Sequence, residues 1–445
     1  MRLIDRTVPL PAAWPPPRTG SEYESLVHYL RRRDPIGYRV HLTLAFVALF
    51  LAPLWQAPSA IAFGILAGYA LLRLPNTWRS CSALLSEPAM VAWIALGSLL
   101  AISILWNPFG PDDGLARLGA WRVMLYPLLL LPVLPSRRIL LVALLLGGFT
   151  QLGFMTIGDA EVPLYRRSGP LQNVNIAGMW GAVLATAGTA ALLWGRWWGL
   201  LAMAAGATIS LFSMSRGSLT AMAAGVAVVL GLGMLESRGH ERWWRLGRVL
   251  LPLLAVGLVA VVVLPASTQR IRYSLTKITA ARGTSEGAHP ALMAVDPERF
   301  LLWRLALLKA QDRPILGWGL GAYTSITTET IDTFDRSWWV VPDQVSSPSS
   351  IGYFRGTHSM YMRIACEQGL IGLLTLLAAL TFTIKGLSRL TRRSAMALGG
   401  LGVVVAWMVY AGTEDAHTMT RALLPVPLVL ALVILGDHFD AREQT

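Results

Sequence analysis

Apolar runs, each about as long as a bilayer crossing, alternate with short polar segments along this chain. They fall near 40–56, 58–74, 89–106, 117–134, 138–157, 173–193, 197–213, 217–235, 248–265, 360–384, 395–412 and 420–437. A helix spanning the hydrocarbon core needs roughly 20 apolar residues. The pattern therefore predicts an all-α polytopic membrane protein of about 12 transmembrane helices, the first two forming a tight pair hinged around Pro53 and Pro58. Nine helices occupy 39–265, a large loop takes 266–357, and three more helices lie in 358–437. Polar tails, 1–38 and 438–445, flank them. The first is rich in Pro and charge and lacks the short apolar core of a cleaved signal peptide.

Composition agrees with this reading. Hydrophobic residues make up 54% and charged residues 14%, against about 25% charged in soluble domains. That excludes a soluble enzyme, a disordered scaffold and a disulfide-stapled secreted domain. The 17 Trp and 41 Gly suit interfaces and spans. The net charge of +13 suggests a nucleic-acid partner until its placement is considered. Of the 38 basic residues only Lys277, Lys309 and Lys385 are lysine, and many of the arginines cluster between apolar runs. Clusters at 31–33, 73–79, 137–138, 196, 238–248 and 385–393 all fall on one side of a twelve-helix topology. The positive-inside rule makes that side cytoplasmic and excludes nucleic acid as the partner. Both tails are then cytoplasmic.

The opposite face receives the loops 107–116, 158–172, 214–216 and 266–357, and a last loop holding Glu414, Asp415 and His417. Within the large loop, Asp296-Pro297-Glu298 reads as a helix start, running to Gln311 before Pro314. Phe300, Trp303, Leu307 and Leu308 give that helix an apolar face. Gly317, Gly319 and Gly321 permit a tight turn, and 335–357 reads as a mobile flap.

Basic residues on the outer face run against the positive-inside bias. Arg216 sits between two apolar runs with almost no loop. It either binds an anionic group through its forked donors or snorkels to lipid headgroups. Arg166 and Arg167 precede Asn173 and Asn175, which either contact a polar ligand or cap a helix. Arg299 and Arg304 lie five apart on the loop helix and so point to different faces. His358 opens the tenth span and is either a general base or a helix-end residue. Nearby arginines are expected to lower its pKa and keep it neutral. Tyr361 lies one turn on and can face the same cavity, whereas Glu367 is too far along the helix to reach His358 and is expected to pair with an Arg or structurally. Asp112, Asp113, Glu414 and Asp415 lack metal-ligand spacing, as do Cys81 and Cys366. No nucleotide loop or metal motif is present, so neither metal nor cofactor is expected.

At RGTHSMYMRIACEQGLIG the chain resembles the O-antigen ligase and polymerase superfamily, with His358, Ser359, Tyr361, Glu367 and Gly369 at the shared positions. The segment RFLLWRLALLKAQDRPILGWGLGAY is similar to the family's Arg, Trp and Pro-x-x-Gly-x-Gly element and places the family Arg on Arg299. SRG at 215–217 and the stretch 167–175 are similar to two further elements. The resemblance implies an inverting, metal-independent glycosyltransferase of a bacterial inner membrane, its site facing the periplasm. It implies a donor glycan on undecaprenyl diphosphate and, in the ligase branch, a sugar hydroxyl of lipid A-core as acceptor. His358 would be the base, and Arg216, Arg299 and Arg167 would hold the diphosphate. Arg166, Arg304, Asn173, Asn175, Tyr361 and Glu367 are supporting positions. The alternatives are an O-antigen polymerase or a protein O-oligosaccharyltransferase with the same donor. A polar-lipid flippase belongs to a different class and predicts charges at mid-bilayer.

Overall fold

The computed structural model describes residues 34–74, 77, 85, 87–157, 167–236, 243, 246–255, 276, 297–325 and 356–437. The tail 1–33, Arg166, the stretch 256–265, the segment 438–445 and almost all of the expected flap lie outside the described residues. Every regular element among those described is helical. Five helical runs are long and apolar enough to cross a membrane by length and composition, and shorter apolar helices accompany them. The protein is an all-α polytopic membrane protein.

Helix α1 (Pro35–Leu51) begins earlier than the apolar pattern alone implies. Asp34 caps it by accepting from the Gly37 amide at 2.7 Å, with Pro35 in the first turn. It is followed by α2 (Gln56–Leu72) and α3 (Pro88–Ser103). The stretch expected as a loop at 107–116 and a plain helix at 117–134 is different. Asp112 and Asp113 open α4 (Asp112–Leu118), and 3-10 turns at 119–125 and 131–136 flank α5 (Tyr126–Leu130). Pro127, Pro132 and Pro135 remove backbone donors there, which explains why the regular helix does not run through. Then come α6 (Arg137–Ile157), α7 (Val174–Leu193), α8 (Trp198–Ser213), α9 (Arg216–Glu236), α10 (Leu246–Ala255), α11 (Pro297–Asp312), α12 (Met360–Ser388), α13 (Ala395–Ala411) and α14 (Thr420–Leu435).

Small residues let backbones touch where α7 packs on α8. A side chain at Gly181 would strike Ser210 and the Gly206 carbonyl, and one at Gly188 would strike Met203 and Gly199. Lipid offers no hydrophobic drive for helix association, so such close packing carries the pair. Trp93 of α3 donates to Thr383 of α12 at 3.1 Å and packs edge-on against Trp407 of α13. Outward-facing Ile61, Leu72, Leu105, Ile157 and Leu377 are exposed, as a lipid-facing surface requires.

The bundle has two polar ends. At one, Arg73 pairs with Asp34 at 3.0 Å, Tyr38 meets Ser136 at 2.7 Å, and buried Arg137 donates to the Leu432 carbonyl. Arg73 and Arg137 are residues that the charge pattern assigns to one side. The other end gathers Asn175, Arg299, His358 and Glu414, all assigned to the opposite side.

A break in α12 builds that second end. Gly369 takes φ 62°, ψ −155°, a conformation essentially restricted to glycine. The carbonyls released accept from the loop after α11: Trp318 N–H bonds Cys366 O at 3.0 Å and Gly319 N–H bonds Glu367 O at 2.7 Å. In return Leu370 N–H bonds Pro314 O at 2.8 Å. Glycines 317, 319 and 321 thus insert between helices instead of merely turning. Irregular backbone at membrane depth survives only when satisfied in this way. Gly369→Ala should therefore cost about 1–3 kcal/mol or more, because its side chain would also meet the Ile315 carbonyl. Thermal unfolding in detergent checks this.

Helix α11 buries Leu302, Leu305 and Ala306, while Leu307 and Leu308 are exposed. Leu307 and Leu308 of the apolar face thus lie off the buried side. The helix lies against α12, and that contact rather than the apolar pattern alone sets its orientation.

Candidate active site

Glu414 is the centre of the site. It is buried, on the turn between α13 and the short 3-10 helix Ala416–Thr418, and its carboxylate collects partners from three other segments. Oε1 accepts from Arg299 Nη2 of α11 at 3.0 Å and from Asn175 Nδ2 of α7 at 2.8 Å. Oε2 lies 3.3 Å from Nδ1 of His358, just before α12. Arg299 also donates to the Thr413 carbonyl at 2.8 Å. The Met360 amide bonds the Glu414 carbonyl at 3.0 Å, locking the two loops together.

A neutral imidazole that gives its Nδ1–H to a carboxylate keeps the lone pair on Nε2, the atom a base uses. The side chain of His358 is 32% exposed, enough to meet a substrate. The hydrogen bond from Glu414 raises its pKa above the ordinary 6.5, against desolvation and the Arg299 charge. The expectation that arginines would depress it is corrected here. Arg299 does act in that direction, but Glu414 stands between them and prevails. His358 also has φ 51°, in the left-handed region, at a cost of about 1–3 kcal/mol for a non-glycine residue.

A second polar layer lies beneath. Arg363, fully buried, joins Asp415 (Nη1 to Oδ2, 3.2 Å) to Glu367 (Nε to Oε1, 3.1 Å), with its guanidinium over the Tyr323 ring. Leaving a partner of such a buried pair uncompensated costs several kcal/mol. Burial tends to raise the pKa of Asp415, but Arg363 and the Thr357 hydroxyl act the other way and keep the acid low. His417 is fully buried without a hydrogen bond at either ring nitrogen among the described residues. Burial, aided by Arg363, lowers its pKa to about 3, so it is neutral.

The structure sorts the other candidate residues. Arg216 is exposed at the start of α9. Its neighbour Gly217 has no room for a side chain against Thr413, so Arg216 stands one residue from the Glu414 turn. Asn175 is in the site, whereas Asn173 caps α7 by accepting from the amides of Asn175 and Ile176. Tyr361 turns its hydroxyl to the Met408 carbonyl at 2.8 Å instead of the site. Glu367 pairs with Arg363 as expected, and Arg304 is half-buried on α11. Arg167 is buried, with Nη1 on the Met155 and Thr156 carbonyls at the end of α6, at 2.8 and 3.2 Å. Arg167→Ala should cost about 2 kcal/mol in detergent unfolding while leaving turnover of the folded fraction near wild type. Arg363, Glu414 and Asp415 are the site residues that motif reading did not assign. Among the described residues no three His, Cys, Asp or Glu side chains converge as metal ligands.

Arg216, Arg299 and His358 all lie within residues 199–377, which match the family model described as O-antigen ligase. Residues 199–377 are an O-antigen ligase family segment. The match supports an activity of the ligase or polymerase type, and the matched segment contains Arg299 and His358, which meet at Glu414. No curated protein matches the chain.

Proposed function

We propose that the protein transfers a glycan from undecaprenyl diphosphate to a sugar hydroxyl of lipid A-core, at the periplasmic face of a bacterial inner membrane. The observation that supports this most is Glu414 binding His358, Arg299 and Asn175 together, with Gly217, the residue after Arg216, packed on Thr413. His358 Nε2 takes the proton of the acceptor hydroxyl while that oxygen attacks the anomeric carbon. The bond from that carbon to the diphosphate oxygen breaks on the opposite face, and its electron pair leaves with undecaprenyl diphosphate. Inversion follows from this displacement. Arg216 and Arg299 bind the diphosphate and stabilise its growing charge. The protein's own side chains suffice, so turnover is expected to persist in EDTA.

The test is reconstitution of purified protein with undecaprenyl-diphosphate glycan, with and without lipid A-core, in EDTA. A ladder on lipid A-core supports the ligase reading. Chain growth from the donor alone identifies a polymerase, and transfer to neither contradicts both. In the same assay, Arg216→Lys should lose roughly tenfold in kcat/KM and Arg216→Ala about a hundredfold, because an ammonium keeps the charge but not the fork.

A further inference from the structure

The two adjacent acids Glu414 and Asp415 serve different parts of one residue. Glu414 faces the imidazole of His358. Asp415 faces its backbone: Oδ1 accepts from the Thr357 hydroxyl and, at 3.3 Å, from the Ser359 amide. Those are the residues immediately before and after His358. Gly356 presses on the other carboxylate oxygen so closely that no side chain fits there. The carboxylate is itself held from below by Arg363, one turn into α12. A left-handed backbone at a non-glycine residue relaxes unless its surroundings impose it, and here both flanks are gripped by one carboxylate.

We propose that Asp415, anchored by Arg363 and acting through Thr357 and Ser359, is a positioning residue that holds His358 in its left-handed conformation with the imidazole against Glu414. The inference rests on the reading of His358 as the base. Without the grip the backbone returns to an ordinary conformation and the ring swings away from Glu414. The charged groups facing His358 are Glu414 and Asp415 from the turn after α13, and Arg299 from α11. Losing the Glu414 contact leaves burial and Arg299 to act on the imidazole against the smaller effect of Asp415.

The experiment follows modification of His358 by diethyl pyrocarbonate against pH, read by peptide mass spectrometry on the full-length protein, beside turnover. Thr357→Val removes the hydroxyl at nearly constant volume, Thr357→Ser keeps it, and Asp415→Asn weakens the anchor to Arg363. The proposal expects the modification midpoint to fall by about half a pH unit or more in Thr357→Val. Turnover should drop about ten- to a hundredfold, and Thr357→Ser should restore both. Folded Thr357→Val protein with a wild-type midpoint overturns the proposal, whatever its turnover. A shifted midpoint with wild-type turnover sustains the positioning role and overturns His358 as the base. The Thr357 pair decides the matter even where Asp415→Asn does not fold.

Discussion

Glu414→Gln should lower transfer by about two to four orders of magnitude, the range associated with a misoriented or wrong-tautomer general base. The amide keeps the shape of the side chain, but it no longer demands a proton on His358 Nδ1. It also removes the charge that compensates Arg299, so a guanidinium bound to the Thr413 carbonyl remains next to the imidazole. The pH dependence gives the sign independently of the rate. A base works deprotonated, so activity rises with pH through the pKa of His358, which Glu414 holds above 6.5. Removing that support leaves burial and Arg299, which lower it, against the smaller raising effect of Asp415. The acidic limb should therefore move to lower pH as the plateau falls. Initial rates between about pH 5 and 9, which bracket the imidazole's ordinary range, show both effects together.

His358→Ala carries the other large expectation. General-base assistance is worth about 10²–10⁴ in rate, so turnover should fall by at least that range while donor affinity stays near wild type. The proposed mechanism assigns donor binding to Arg216 and Arg299, which the substitution does not replace. Stability should change little, because the variant loses one partly exposed hydrogen bond while Asp415 still holds the backbone on either side. Equilibrium binding of lipid-linked donor, measured beside turnover, separates the two effects.

Most helices among the described residues are legible because their apolar runs are long and bounded by Arg, Pro or Gly. The 197–213 run and its Gly-rich neighbour α7 emerge within a residue or two of the pattern. The stretch 112–136 was not legible as built: its hydropathy is continuous, and only its three prolines signal the 3-10 turns. The loop helix starts at Pro297 as Asp296-Pro297-Glu298 predicts, while its buried side is chosen by α12 and not by its own periodicity. In the site, His358, Arg299 and Asn175 were readable from the sequence as polar residues on the outer face. Glu414 and Asp415 were visible only as loop acids. Their partners lie 56 and 52 positions away or more, and only folding brings them together. A usable signal existed in charge balance: several outer-face cations implied buried anions near them. The error over the pKa of His358 has the same root, since the arginines were countable along the chain and the intervening carboxylate was not.

The central claim is that His358, supported by Glu414, removes the acceptor proton. Its most direct test is the single-turnover pH–rate profile of wild-type and His358→Ala protein, at saturating lipid-linked glycan and lipid A-core. The account predicts that wild type rises through one ionisation above 6.5. It also predicts that the residual rate of His358→Ala lacks that ionisation altogether. A His358→Ala protein that turns over at the wild-type rate, or keeps the same acidic limb, would contradict it.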